Sequence, residues 1–191
     1  MAFLSREALL SMGFQRLGEQ VLISEKASIY NAGNIELGSH IRIDDFCILS
    51  AGEGGISIGN YVHLACYVSL IGAGRITLHD CCNIAARSTV LSATDDFSGQ
   101  YLMGPTVPDA FRNVIVKDVV LERHVIIGAG CVLLPGASIV AGTAIGAMSL
   151  VTEPVTEPGI YAGIPAKKIK ERSRQVFELE AQLKASEHKQ D

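Results

Sequence analysis

Three groups of side chains in this sequence could do chemistry. Two adjacent carboxylates, Asp95 and Asp96, stand in a segment of mixed composition at residues 92 to 118, SATDDFSGQYLMGPTVPDAFRNVIVKD. A carboxylate with an ordinary pKa of about 4 is a poor base toward a hydroxyl, but it can orient an amine, hold its cationic form and relay its proton. Two histidines, His63 and His124, offer an imidazole of pKa about 6.5, better suited to taking a proton from a hydroxyl. The third group lies further along. Gly128, Ala129, Gly130, Gly146 and Ala147 allow an extended ligand to approach the backbone, and Lys167, Lys168 and Lys170 follow as cations for an anionic one. No cysteine or serine stands beside an evident base, so nothing points to a covalent enzyme intermediate. No metal is expected either. The gaps among His63, His79 and His124 hold no close pair, and the Cys81-Cys82 dipeptide lacks partners at ligand spacing.

These residues must be positioned by a repeat of six. Leu121, Ile127, Leu133, Ile139, Ile145 and Val151 form one row, and Val119, Val125, Cys131, Ala137, Thr143 and Ser149 form a second, two residues upstream. A period of six is neither helical nor simply alternating. Residues i and i+2 share one face of a short strand, and the remaining residues turn a corner. The same pattern groups Leu37 with Ile43 and Leu49, Ile58 with Leu64 and Leu70, and Leu78 with Ile84 and Val90, after irregular sixes at Ile23, Ile29 and Ile35. Extra residues follow every third six, after Leu49, Leu70 and Val90, so three strands make one turn of a triangular coil. Five clean turns at the strand spacing of roughly 4.8 Å give a prism about 24 Å tall. Gly38, Gly59, Gly128 and Gly146, each directly after an inward aliphatic residue, are expected at tight corners.

The ends depart from the repeat. Residues 5 to 13, SREALLSMG, carry a Ser N-cap, helix formers and a Gly stop, and this short helix is expected to cover the first open edge of the stack. After Pro165 the chain becomes charged, and Ile169, Val176, Leu179 and Leu183 at helical spacing predict an amphipathic tail helix capping the last coil, with residues 187 to 191 loose. The organisation is therefore an N-terminal cap over 1–19, a β-helix over 20–164 carrying the excursion 92–118, and a basic segment with a helix over 165–191.

Composition narrows the function. A net charge of −4 and the lack of a basic run interleaved with aromatics argue against nucleic acid as a partner. No segment approaches the roughly 20 apolar residues of a membrane span, and the N-terminus is not expected to be a signal peptide. The five cysteines are an odd number, and Cys47, Cys82 and Cys131 fall at core positions, as expected in a reducing cytoplasm.

The repeat V-x-I-G-A-G at 125–130, the segments LLPGASIV and AMSLVTEPV, and the closing AGIPAKKIKER together resemble the hexapeptide-repeat acyltransferases over roughly residues 20 to 172. That resemblance implies an all-β left-handed parallel β-helix, a homotrimer, and acetyl-CoA or another acyl-CoA as co-substrate. It places the pantetheine arm along Gly128, Ala129, Gly130, Gly146 and Ala147, the nucleotide end near Lys167 and Lys168, and a backbone amide on the oxyanion. Many members carry a catalytic histidine in the excursion, in a context like L-S-x-T-G-H. Here the text is Leu91-Ser92-Ala93-Thr94-Asp95-Asp96, which puts Asp96 at that position. The resemblance is to the branch that N-acylates nucleotide-linked amino sugars for surface polysaccharide, such as lipopolysaccharide, and that can lack the histidine. The implied catalytic set is Asp96 and Asp95, with His124 as a replacement base, and His63 and Asp95 lining the acceptor site. O-acetylation of a saccharide hydroxyl, with His63 or His124 as base, and a non-catalytic β-helix scaffold stay open as alternatives.

Overall fold

A computed structural model describes residues 2–187, and the expected loose end beyond Glu187 lies outside these residues. The chain winds as a left-handed parallel β-helix with three flat faces. Among the described residues six coils each place one strand on every face, five of them built on the clean repeat. Coil 2 runs through Ile35–Leu37, Ile41–Ile43 and Ile48–Ala51, coil 3 through Ile56–Ile58, His63–Leu64 and Ser69–Gly72, and coil 4 through Ile76–Leu78, Asn83–Ile84 and Thr89–Leu91. Coil 5 follows at Val119–Leu121, Ile126–Ile127 and Val132–Leu133, and coil 6 at Ser138–Ile139, Ala144–Ile145 and Leu150–Val151. The irregular sixes before Ile35 form a further coil 1 from Arg16–Leu17, Val21–Ile23 and Ser28–Tyr30.

Strand register explains why the repeat takes this form. On the first face Leu37, Ile58, Leu78, Leu121 and Ile139 stack directly on one another. Ile43, Leu64, Ile84, Ile127 and Ile145 do so on the second face. Leu49, Leu70, Val90, Leu133 and Val151 complete the third. All fifteen are at most 2% exposed. Each such burial stabilises by about 1.5–3 kcal/mol, so the interior is a continuous aliphatic column in which a slip of one residue would turn every hexad inside out.

The corners differ from expectation. Left-handed backbone falls on the residue three before each inward aliphatic of the second and third faces, and most of these are not glycine. Tyr61, Cys81 and His124 have φ of 56°, 60° and 60°, and Phe46, Tyr67 and Arg87 have 62°, 64° and 64°. An L-residue loses about 1–2 kcal/mol there, but each corner is held by its neighbour below, as in Tyr61 N–H to Ser39 O (3.0 Å) and Cys81 N–H to Asn60 O (2.9 Å). Gly38 and Gly128 are needed for another reason, close stacking. A Cβ on Gly38 would sit 2.6 Å from Gly59 O, and one on Gly128 would sit 2.4 Å from Ala147 N.

At the N-terminal end, helix α1 (Arg6–Ser11) is capped by Ser5, whose hydroxyl accepts the Ala8 N–H at 3.2 Å, and it buries Leu9 in the core. The C-terminal end corrects the tail reading. Ile160–Ala162 adds a parallel strand to the second face, and Lys167–Lys170 folds back antiparallel on it, so this strand closes the ladder. Ile169 belongs to that strand and is exposed. Helix α2 (Gln175–Glu187) lies along the side of the prism instead. Leu179 and Leu183 point to solvent, and the contact is made by Phe177 and the buried Glu180.

Candidate active site

The excursion leaves the corner between the third and first faces. Its neck is tight. Ser92 is buried, its N–H donates to Ile71 O (3.0 Å), and Lys117 N–H donates back to Ser92 O (3.1 Å). Ala93–Asp95 then pairs antiparallel with Val114–Val116, which makes the base of the loop a rigid hairpin.

This hairpin separates the two carboxylates. Alternation along the strand points Asp95 and Asp96 to opposite sides. Asp96 is committed to the loop, accepting the Ser98 N–H (2.6 Å) and the Asn113 side-chain N–H (2.8 Å). The Ser98 and Asn113 hydrogen bonds hold its carboxyl below the usual carboxylate range. The half-buried Asp95 carboxylate makes no hydrogen bond or ion pair among the described residues. It is therefore the carboxylate of the pair left open to a further partner. Around it the loop exposes Phe97, Tyr101, Phe111, Val114, Ile115 and Val116, an apolar surface on an excursion.

The glycine-rich residues do come together, at the corner between the second and third faces. Gly128 lies directly beneath Gly146 and Ala147, with Gly128 N–H donating to Ile145 O (2.8 Å) and Met148 N–H to Ala129 O (2.8 Å). Ala129 and Ala147 are exposed, and their N–H groups have no backbone acceptor among the described residues. Gly130 has φ +70° and continues the corner column. Of the lysines, Lys168 is already paired with Glu171 (2.7 Å) and Glu157 (3.4 Å), which hold its ammonium above the usual lysine value. Lys167 lines a hollow of about 350 Å³ with Val151, Thr152, Pro154, Tyr161 and Pro165.

The histidines part company. His63 points outward on the second face, two coils from the glycine corner, and its Nε2–H donates to Asp44 Oδ2 at 2.9 Å. Burial alone would raise the Asp44 carboxyl, but hydrogen bonds from Arg42 and His63 outweigh it and hold it below the usual range. His124 does not stand beside the glycine corner. It occupies the corner between the first and second faces, on the far side of the second face from Gly128, and is buried under α2 with Nε2 2.6 Å from Glu180 Oε2 and its ring edge on Phe177. Its reading as an accessible base is thereby corrected. It docks the tail helix. Asp44 and Glu180 were not singled out from sequence. Asp44 had a faint signal, a carboxylate one position after an inward aliphatic, whereas nothing local marks Glu180.

No family model matches the sequence. Comparison along the whole chain is informative. The sequence is 46% identical over 186 residues to the dTDP-4-amino-4,6-dideoxy-D-glucose acyltransferase of Escherichia coli, covering 97% of each chain. The chain belongs to the hexapeptide-repeat acyltransferases. A solved structure in this acyltransferase family, AntD, an N-acyltransferase from Bacillus cereus in complex with dTDP and 3-hydroxybutyryl-CoA, matches at TM-score 0.93 and 47% identity, over 97% of this chain and 98% of that one. AntD variants with one aspartate or one serine replaced were also crystallised with coenzyme A and either dTDP or dTDP-4-amino-4,6-dideoxyglucose. A putative lipopolysaccharide biosynthesis O-acetyl transferase, WbbJ of Escherichia coli K12, is 30% identical over 184 residues, 87% of this chain and 86% of that one. No helix among the described residues is long and apolar enough to cross a membrane.

Proposed function

We propose that this acyltransferase moves a short acyl group from acetyl-CoA or another acyl-CoA to the C4 amine of a dTDP-linked 4-amino-4,6-dideoxyglucose. One observation carries this reading: near-half identity, from end to end, both to an enzyme named for that nucleotide sugar and to AntD, crystallised with the same sugar and coenzyme A. The acyl-CoA lies along the Gly128 to Gly130 and Gly146 to Ala147 corner, pairing with the amides of Ala129 and Ala147, and Lys167 meets its phosphates.

Asp95 holds and orients the sugar amine. The neutral amine attacks the thioester carbonyl, forming the C–N bond, and a backbone amide takes the developing oxyanion. Collapse breaks the C–S bond, the electron pair leaves on the coenzyme sulfur, and the amine's extra proton passes to that sulfur through Asp95 or solvent. Asp96 acts through the loop. Its hydrogen bonds to Ser98 and Asn113 keep the Asp95 strand in place. Lys168 and His63 sit at the margins of the donor and acceptor sites.

Asp95 and the glycine corner lie on opposite edges of the third face of one prism. A complete site therefore forms when the hairpin of one chain reaches the corner of a neighbour. The apolar surface of the excursion suits that contact, and the assembly is a homotrimer. The enzyme works in the cytoplasm and supplies a surface polysaccharide.

The test is thiol release from acyl-CoA with dTDP-4-amino-4,6-dideoxyglucose, with its hydroxyl counterpart and with unactivated amino sugars. Asp95→Asn should lower kcat roughly 10² to 10⁴-fold without changing thermal stability. Asp96→Asn should raise KM more than it lowers kcat. Full turnover by Asp95→Asn would remove the role given to it. Turnover with the hydroxyl sugar alone would instead favour O-acetylation, with the His63–Asp44 pair supplying the base.

A further inference from the structure

One side-chain cluster has no part in acyl transfer. Cys81 of coil 4, His124 of coil 5 and Glu180 of α2 bring a thiol sulfur, an imidazole nitrogen and a carboxylate oxygen within 4.8 Å of one another. Cys81 and His124 occupy the same left-handed corner one coil apart, so their side chains leave the prism side by side. Glu180 reaches them from the helix, with Oε2 2.6 Å from His124 Nε2 and Oε1 held by Lys184 at 2.6 Å.

We propose that Cys81, His124 and Glu180 form a site for one zinc-like divalent cation that fastens α2 to the prism. A thiolate, an imidazole and a carboxylate are the donors a borderline-soft, four-coordinate cation takes, with water in the fourth position. Bonds of roughly 2.0–2.3 Å at tetrahedral angles set such donors about 3.3–3.8 Å apart. The His124–Glu180 pair must then open by about 1 Å and the sulfur, within 4.8 Å of both, close by no more than about as much, shifts that side-chain rotation can supply. The ion replaces the proton between His124 and Glu180, and the thiol proton leaves to solvent. Lys184 keeps the other carboxylate oxygen in place. Arg123, 3.3 Å from Oε2 and half exposed, can turn away, and Asp80 beside Cys81 adds negative charge on the same side. No sequence signal announces the site, because its ligands come from three distant elements.

The full chain, stripped with a chelator, should bind one equivalent of zinc in competition with a chromophoric chelator. Cobalt in its place should show a thiolate-to-metal charge-transfer band. Cys81→Ser should abolish that band and weaken zinc binding roughly a hundredfold. Glu180→Gln, a change on the helix that leaves the coils untouched, should weaken it as well, and Cys66→Ser should do neither. Zinc should also slow hydrogen exchange of the α2 amides in the wild type and not in Cys81→Ser. Failure of the wild type to bind, or a cobalt band and affinity that survive Cys81→Ser, would overturn the assignment.

Discussion

Replacing Gly128 with alanine tests the stacked corner to which the donor is assigned in the proposed function. The added Cβ would lie 2.4 Å from Ala147 N, 2.8 Å from Ala147 Cα and 2.8 Å from the Gly146 carbonyl carbon, all backbone atoms that cannot rotate away. Carbon contacts are comfortable at about 3.5–4.0 Å, so coils 5 and 6 must part by about 1 Å at this corner. That movement strains the bond from Gly128 N–H to Ile145 O, 2.8 Å. Overpacking costs about 1–3 kcal/mol and the weakened hydrogen bond about 1 kcal/mol, for about 3 kcal/mol in all. For a chain of this length that lowers Tm by about 6–12 °C. Gly33→Ala is the control, since its Cβ would meet only Gly13 O at 3.8 Å. Circular dichroism melts with and without acetyl-CoA read both effects, and the coenzyme's stabilisation of the wild type should be lost in Gly128→Ala. A Gly128→Ala protein that melts with the wild type and is still stabilised by coenzyme would refute both the stacking argument and the placement of the donor.

Leu70→Ala, in the middle of the third column, should cost about 2–5 kcal/mol in urea unfolding, whereas Leu179→Ala on the exposed side of α2 should stay within about 0.5 kcal/mol. The Asp44 carboxyl is held below its ordinary value, so its contribution is complete above the unfolded value of about 3.9 and fades as pH falls through the lower folded value. Asp44→Asn should therefore flatten the acid limb of a Tm-against-pH curve, and an unchanged limb would count against the ion pairs. Burial pushes the Cys82 thiol up to about 12 and Cys47 up to about 11. At neutral pH a thiol reagent should modify Cys66 first in the folded chain, Cys81 more slowly because burial and Glu180 raise its thiol, and all five cysteines after unfolding.

The prism was legible because its cause is local and repeated. Leu37, Ile43 and Leu49 each announce an inward position, and the residues left over after Leu49 announce the end of a coil. The corners were not legible. Tyr61, Arg87 and His124 take left-handed backbone because the coil beneath supplies the compensating hydrogen bond, a property of the stack and not of the side chain. The tail misled for a similar reason. Ile169 fits a helical spacing, yet the open edge at Ile160–Ala162 captures its segment as a strand, a long-range pairing that outweighs propensity. Within the site, the glycine corner was marked by composition. The choice between Asp95 and Asp96 rested on strand pairing with Val114–Val116, which adjacent carboxylates in a loop do not reveal.

Register partners on the first face are 18 to 21 residues apart except across the excursion, where Ile76 and Val119 are 43 apart, so every coil is a nearly interchangeable storey of one building. The excursion departs between the fourth and fifth storeys, and the glycine corner occupies the fifth and sixth. Inserting or deleting one storey between them would move acceptor relative to donor by a single step of roughly 4.8 Å, with no intermediate setting. On the proposed placement of the two substrates their reach is thus quantised, and finer adjustment to a longer or shorter sugar would be left to the hairpin alone.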